Sequence, residues 1–124
     1  MSFIFNRQID RDFIISMYEE DYAYISEVFE TTLNQLIPDI AILKKAYTNG
    51  DLESLRKQVH KIKPAFGFAG LRDTEAICQQ FEDDCISAGS TETLGDRYGT
   101  LIKLLDESCI IIQQEIEKLK AYKN

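Results

Sequence analysis

With 124 residues, 44% of them hydrophobic, and a formal net charge of −7, the chain has the size of one ordinary domain and enough apolar surface for a core, which excludes a disordered segment. An acidic body also excludes nucleic-acid binding through a general field, because that needs clustered Lys and Arg. Two prolines, six glycines and no tryptophan leave few breaks and favour long helices over many short strands.

The apolar period is helical almost throughout. A short first helix is expected over about 10–18, with Asp10 as its N-cap and Phe13, Ile14 and Met17 on its apolar face. The bundle proper is expected over about 22–122. Its first, long helix runs from about Tyr22 to Tyr47, with Ile25, Phe29, Thr32, Leu33, Leu36, Ile40 and Leu43 as the stripe. Pro38 inside it removes one hydrogen bond and should bend it. Asn49-Gly50 ends that helix and Asp51 starts the next, from Leu52 to about Phe68, with Leu52, Leu55, Val59, Ile62 and Phe66 facing the core. Gly70 marks a turn. The following helix covers about Arg72 to Ala88 with Ala76, Ile77, Phe81 and Cys85 inward, and Gly89-Ser90 breaks it. The last runs from about Glu92 to Tyr122 on Leu94, Tyr98, Leu101, Leu105, Cys109, Ile112 and Ile116, with Gly95 and Gly99 weakening its first turns. Long amphipathic helices joined by short loops pack as antiparallel neighbours. The expected fold is all-α: an antiparallel up-down-up-down four-helix bundle with a short extra N-terminal helix over one end, in a single domain spanning 1–124.

Cys78, Cys85 and Cys109 make an odd set with no CxxC, and no signal peptide is visible, which argues for buried thiols in a reducing, cytoplasmic setting. Cys78 and Cys85 share a helix face, but the one histidine lies on another segment, so no metal site is expected. No apolar run approaches the ~18 residues of a membrane span. There is no GxxxxGK[ST] and no kinase glycine loop, so neither ATP binding nor self-phosphorylation is expected, and no cofactor.

The stretch HKIKPAFGFAG, His60 to Gly70, holds the only histidine. His60 follows the core residue Val59 and so points roughly 100° away from it, onto an exposed face. Its neighbours at steps of three and four are Arg56, Lys57, Lys63 and Pro64. With Lys61 they form a local cationic patch on an anionic body, suited to an anionic group or partner; an ordinary solvated helix face gives the same charge pattern. Pro64 cannot donate to the His60 carbonyl, a distortion of about 3 kcal/mol that the helix accepts beside its one imidazole. Pro64 and Gly67 should leave a low, stiff surface on which another protein could dock; equally, they could simply bend and end the helix.

This stretch resembles the histidine-containing phosphotransfer (HPt) domain family, whose pattern is matched by His60, Lys63, Ala65, Gly67 and Gly70. The lead-in, a long helix with Pro38 followed by AYTNGDLESLRKQVH, is similar too, and the likeness covers most of the chain from about Tyr22. Pro64 departs from it where the family usually has Gly, as do Ala65 and Phe66 where Ser is frequent. The resemblance implies a phosphorelay intermediate without a kinase activity of its own. His60 would accept a phosphoryl group from a phospho-aspartyl receiver domain, such as that of a hybrid sensor kinase, and pass it to the aspartate of another receiver. Lys63 would pair with the phosphoryl oxygens, and Arg56, Lys57 and Lys61 would add a salt-sensitive attraction. A polar side chain on the following helix would hold the other imidazole nitrogen: Glu82 by alignment, with Gln79 as a weaker candidate, although either could be a solvated surface residue. Histidine titrates near ~6.5, so a neutral imidazole nucleophile is available near neutral pH. Receiver domains are the expected partners, with neither nucleic acid nor membrane, and a monomer is expected. The competing reading is a helical interaction module that carries no phosphate.

Overall fold

The structure, a computed structural model, describes residues 3–122. Met1, Ser2, Lys123 and Asn124, which the expected domain span includes, lie outside the described residues. The described residues form five helices: α1 (Arg11–Tyr18), α2 (Tyr22–Thr48), α3 (Leu52–Phe68), α4 (Arg72–Ser87) and α5 (Gly95–Ala121), with a 3₁₀ turn at Glu92–Leu94 before α5. Among the described residues there is no strand. The starts follow local chemistry. Asp10, Asp21 and Asp51 each accept from the backbone N–H three residues on, satisfying donors that a helix start leaves orphaned.

The side-chain pairs fix the topology. Lys44 meets Asp106 and Lys120 meets Glu30, so α2 and α5 run in opposite directions. Thr74 bonds Ser108 and Arg97 pairs with Asp84, which sets α4 against α5. His60 reaches Glu82 and Lys63 reaches Gln79, which sets α3 against α4. Gln58 donates to the Asp39 carbonyl across α2 and α3, which the short turn at 49–51 joins. The result is an antiparallel up-down-up-down four-helix bundle. The expected stripe of α2 is buried in full, and so are Leu55, Val59, Ile62 and Phe66 of α3.

Three faces differ from expectation. On α4, Ala76 and Ile77 point outward and Thr74, Cys78, Phe81, Glu82 and Cys85 point in. The Thr74 hydroxyl is satisfied by Ser108, so a polar residue occupies a core position that hydrophobicity alone assigned to its neighbours. On α1, Ile14 is fully buried but Met17 is exposed, because α1 covers the end of the bundle through Ile14 and the preceding Ile9. Cys109 is only half-buried; Ser108 takes the inward place. All three thiols are free, and burial pushes the Cys78 thiol up to about 12 and Cys85 and Cys109 up to about 11. Among the described residues no helix is long and apolar enough to cross a membrane.

Candidate functional site

The site is built on the α3–α4 hairpin. Gly70 takes φ +74°, a left-handed conformation that lets the chain reverse directly after α3. Leu71 N–H donates back to the Phe66 carbonyl at 2.8 Å and locks the turn. The two cross-helix pairs, 60 with 82 and 63 with 79, are each symmetric about Leu71. The turn therefore sets the register that brings these four side chains together.

His60 stands on the outward face of α3 with 66% of its side chain exposed. Its Nδ1 lies 2.7 Å from Glu82 Oε1. Glu82 is buried, and its second oxygen accepts from the Lys63 ammonium at 3.1 Å. Burial favours a protonated Glu82, but hydrogen bonds from Lys63 and His60, together with their charges, outweigh it and hold the carboxyl below the usual carboxylate range. An ionised carboxylate can only accept, so the Nδ1 that faces it carries a proton, and in the neutral ring Nε2 keeps the lone pair. The ring is thereby held in one tautomer, with its nucleophilic nitrogen turned away from the protein.

Gln79 does not reach the imidazole. It accepts from Lys63 Nζ at 2.6 Å and donates to Asp83 at 3.1 Å, so it holds the lysine. Lys63 is largely covered, 18% exposed, between these two α4 side chains.

The wider cationic patch is already paired. Arg56 bonds Glu53 at 2.6 Å, Lys57 lies 3.8 Å from the same carboxylate, and Lys61 lies 3.3 Å from Asp39 on α2. Glu53 precedes Arg56 by three residues and Lys57 by four, the spacing at which helix neighbours meet, so this pairing was available from the sequence. Asp39 comes from another helix and carried no such signal. Pro64 is exposed one turn past His60. Gly67, expected as open floor beside the imidazole, is instead buried: the Glu75 side chain of α4 lies over it, where a Cβ would collide. Its missing side chain serves close packing of α4 on α3. Among the described residues no group of three or more His, Cys, Asp or Glu side chains is placed to hold a metal ion.

The Hpt domain family model matches residues 26–121. The crystal structure of the HPT domain from an Hpt sensor hybrid histidine kinase of Shewanella has the same fold. The TM-score is 0.71 at 18% sequence identity, over 94% of this chain and 97% of that one. No curated protein sequence matches the chain significantly.

Proposed function

The chain belongs to the Hpt domain family, and on that premise we propose that it is a phosphorelay intermediate whose phosphoryl acceptor is His60. The Nε2 lone pair attacks the phosphorus of a phospho-aspartate on a receiver domain. The N–P bond forms as the acyl P–O bond breaks, and the receiver's carboxylate leaves with the electron pair. The same path in reverse delivers the group to a second receiver. The transferring group carries its charge on three equatorial oxygens. Lys63, one turn along α3, supplies an ammonium toward them, and Gln79 and Glu82 accept from that ammonium and hold it in place beside the ring.

The observation that carries this reading is the pairing of His60 Nδ1 with a buried carboxylate on an otherwise exposed ring. A solvated surface histidine has no such partner, and a core histidine has no such exposure. The chemistry asks for no nucleotide on this chain, and the Mg²⁺ that receivers use is theirs. Receiver domains, including that of a hybrid sensor kinase, are the partners this reading implies. The chain acts as a monomeric single domain, and its free thiols suit a reducing cytoplasm.

The test is incubation with a panel of phosphorylated receiver domains. Acid-labile label is expected on the wild type and absent from His60→Gln. A wild type that takes label from no receiver would favour an interaction module that carries no phosphate.

A further inference from the structure

Glu82 and Asp83 follow Gln79 by three and four residues on α4, the spacing at which helix neighbours meet. Gln79 lies between two groups of opposite chemistry. Its Oε1 accepts from Lys63 Nζ at 2.6 Å, and its Nε2 donates to Asp83 Oδ1 at 3.1 Å. An ammonium only donates and a carboxylate only accepts. Turning the amide over would face N–H against the ammonium and oxygen against the carboxylate, and would lose both bonds. Gln79 is otherwise exposed on a long, flexible stem, so Asp83 is the second anchor that gives the amide one place and one orientation.

That orientation reaches the site through Lys63. An ammonium has three N–H groups. Gln79 takes one and the Oε2 of Glu82 takes another, at 3.1 Å, which leaves the third for an incoming oxygen in a fixed direction. Were Gln79 to let go, the ammonium would be tied to Glu82 alone and could turn about that bond. Donors act on a developing charge most strongly when they are already in place. The same helix supplies a comparison. Gln80 donates to Asp84 Oδ1, also at 3.1 Å and four residues on, but among the described residues its amide bonds no lysine or arginine. The pair by itself is an ordinary helix contact; at 79 and 83 it is joined to the cation beside His60.

Resting on the reading of His60 above, we propose that Asp83 is a positioning residue for phosphotransfer: it orients the Gln79 amide, and the amide fixes the direction in which Lys63 offers its remaining N–H. Asp83 acts through the amide, and not through its own charge on the receiver.

The experiment measures single-turnover transfer against receiver concentration for wild type, Asp83→Ala, Asp83→Asn, Gln79→Ala, the double variant Gln79→Ala/Asp83→Ala and the control Asp84→Ala. An exposed pair at this spacing contributes little to helix stability, so the Tm of Asp83→Ala should fall by no more than about 3 °C. Its maximal rate should fall about three- to tenfold, the loss expected for one hydrogen bond, with half-saturation held within about twofold. Asp83→Asn keeps an acceptor oxygen without the charge and should restore most of the rate. The double variant should be no slower than Gln79→Ala, because a residue that acts through the amide then has nothing left to act on. Asp84→Ala should transfer as wild type does. In nitrogen-15 spectra the Lys63 ammonium signal, sharp while two acceptors hold it, should broaden in Asp83→Ala and return in Asp83→Asn. An unaltered maximal rate or an unaltered Lys63 signal in Asp83→Ala overturns the inference and leaves the role of His60 standing. So do equal losses in the alanine and asparagine variants, which would assign the effect to charge, additive losses in the double variant, or a matching loss in Asp84→Ala. No label on wild type from any receiver overturns both.

Discussion

Glu82 Oε1 lies 2.7 Å from His60 Nδ1, while the same carboxylate takes the Lys63 ammonium on its other oxygen at 3.1 Å. One buried side chain on α4 thus sets the tautomer of the imidazole and the position of its nearest cation. Glu82→Ala should slow phosphotransfer roughly ten- to hundredfold, since a displaced reacting atom costs on that order. Glu82→Gln keeps an acceptor oxygen and should lose less. Nitrogen-15 spectra of the imidazole give the direct readout. Wild type should carry its neutral-form proton on Nδ1, and Glu82→Ala should shift it toward Nε2. An unaltered tautomer in the alanine variant would show that the ring does not depend on this carboxylate.

Lys63 and Lys57 flank the same imidazole but differ in setting. Lys63 is largely covered and bonded to two α4 side chains; Lys57 is exposed, 3.8 Å from Glu53. Lys63→Ala should slow transfer about tenfold or more by removing charge from the transferring oxygens. It should also cost about 1–2 kcal/mol of stability, because Glu82 loses a hydrogen-bond donor in a buried place. Lys57→Ala should leave stability within about 0.5 kcal/mol and change transfer by less than about threefold, as exposed pairs contribute little. Urea unfolding and single-turnover transfer on the two variants separate these outcomes. Equal losses would mean that only the general field of the patch matters.

The stripes of α2 and α3 were legible because their inward positions are nearly all large and apolar at helical spacing. The phase of α4 was not. Its inward face mixes a hydroxyl, two thiols and a carboxylate with Phe81, so hydrophobicity pulled Ile77 inward when it is in fact 41% exposed. His60 was placed correctly on the outward face by one step from Val59. The hold of Glu82 on the ring came into view only through resemblance, since contact between residues 22 apart depends on the register set at Gly70. Gln79 and Glu82 differ by three residues, and the resemblance placed Glu82 first; the register gives the imidazole to Glu82 alone and shares the ammonium between the two.

The pH dependence of stability follows from the same carboxylate. The folded-state pKa of Glu82 lies below its unfolded value, so its contribution is fully present above the unfolded value, near ~4.3, and is lost as pH falls through the folded one. Wild type should therefore exceed Glu82→Gln in unfolding free energy at neutral pH, and the gap should close below about pH 4. Asp51 and Glu53, held low chiefly by hydrogen bonds from Ser54 and Arg56, titrate in both proteins and cancel in the difference. Urea titrations of the pair at several pH values measure this. A gap that persists unchanged to pH ~2 would mean that the stabilisation does not come from the ionised carboxylate.

Gly70 and Gly67 offer a last contrast, because a methyl group added to each meets different surroundings. At Gly70 the backbone has φ +74°, and an added Cβ would sit 3.0 Å from the side chains of both Ile9 and Ile14. The left-handed conformation costs an alanine about 1–2 kcal/mol, and crowding in a packed place adds about 1–3 kcal/mol. Gly70→Ala should lower the Tm by on the order of 10 °C. The damage should reach the site, because this turn holds the register of His60 with Glu82, and the imidazole tautomer signal should become mixed. At Gly67 the backbone is helical and the colliding group is the carboxylate of Glu75, the far end of a flexible side chain that can swing away. The helix-propensity gain of about 1 kcal/mol offsets that shift, so Gly67→Ala should change stability by less than about 1 kcal/mol. Thermal melts of the two variants side by side decide the matter. Comparable destabilisation would mean that Glu75 is fixed in place and that the α3–α4 contact is tighter than the mobility of its side chain implies.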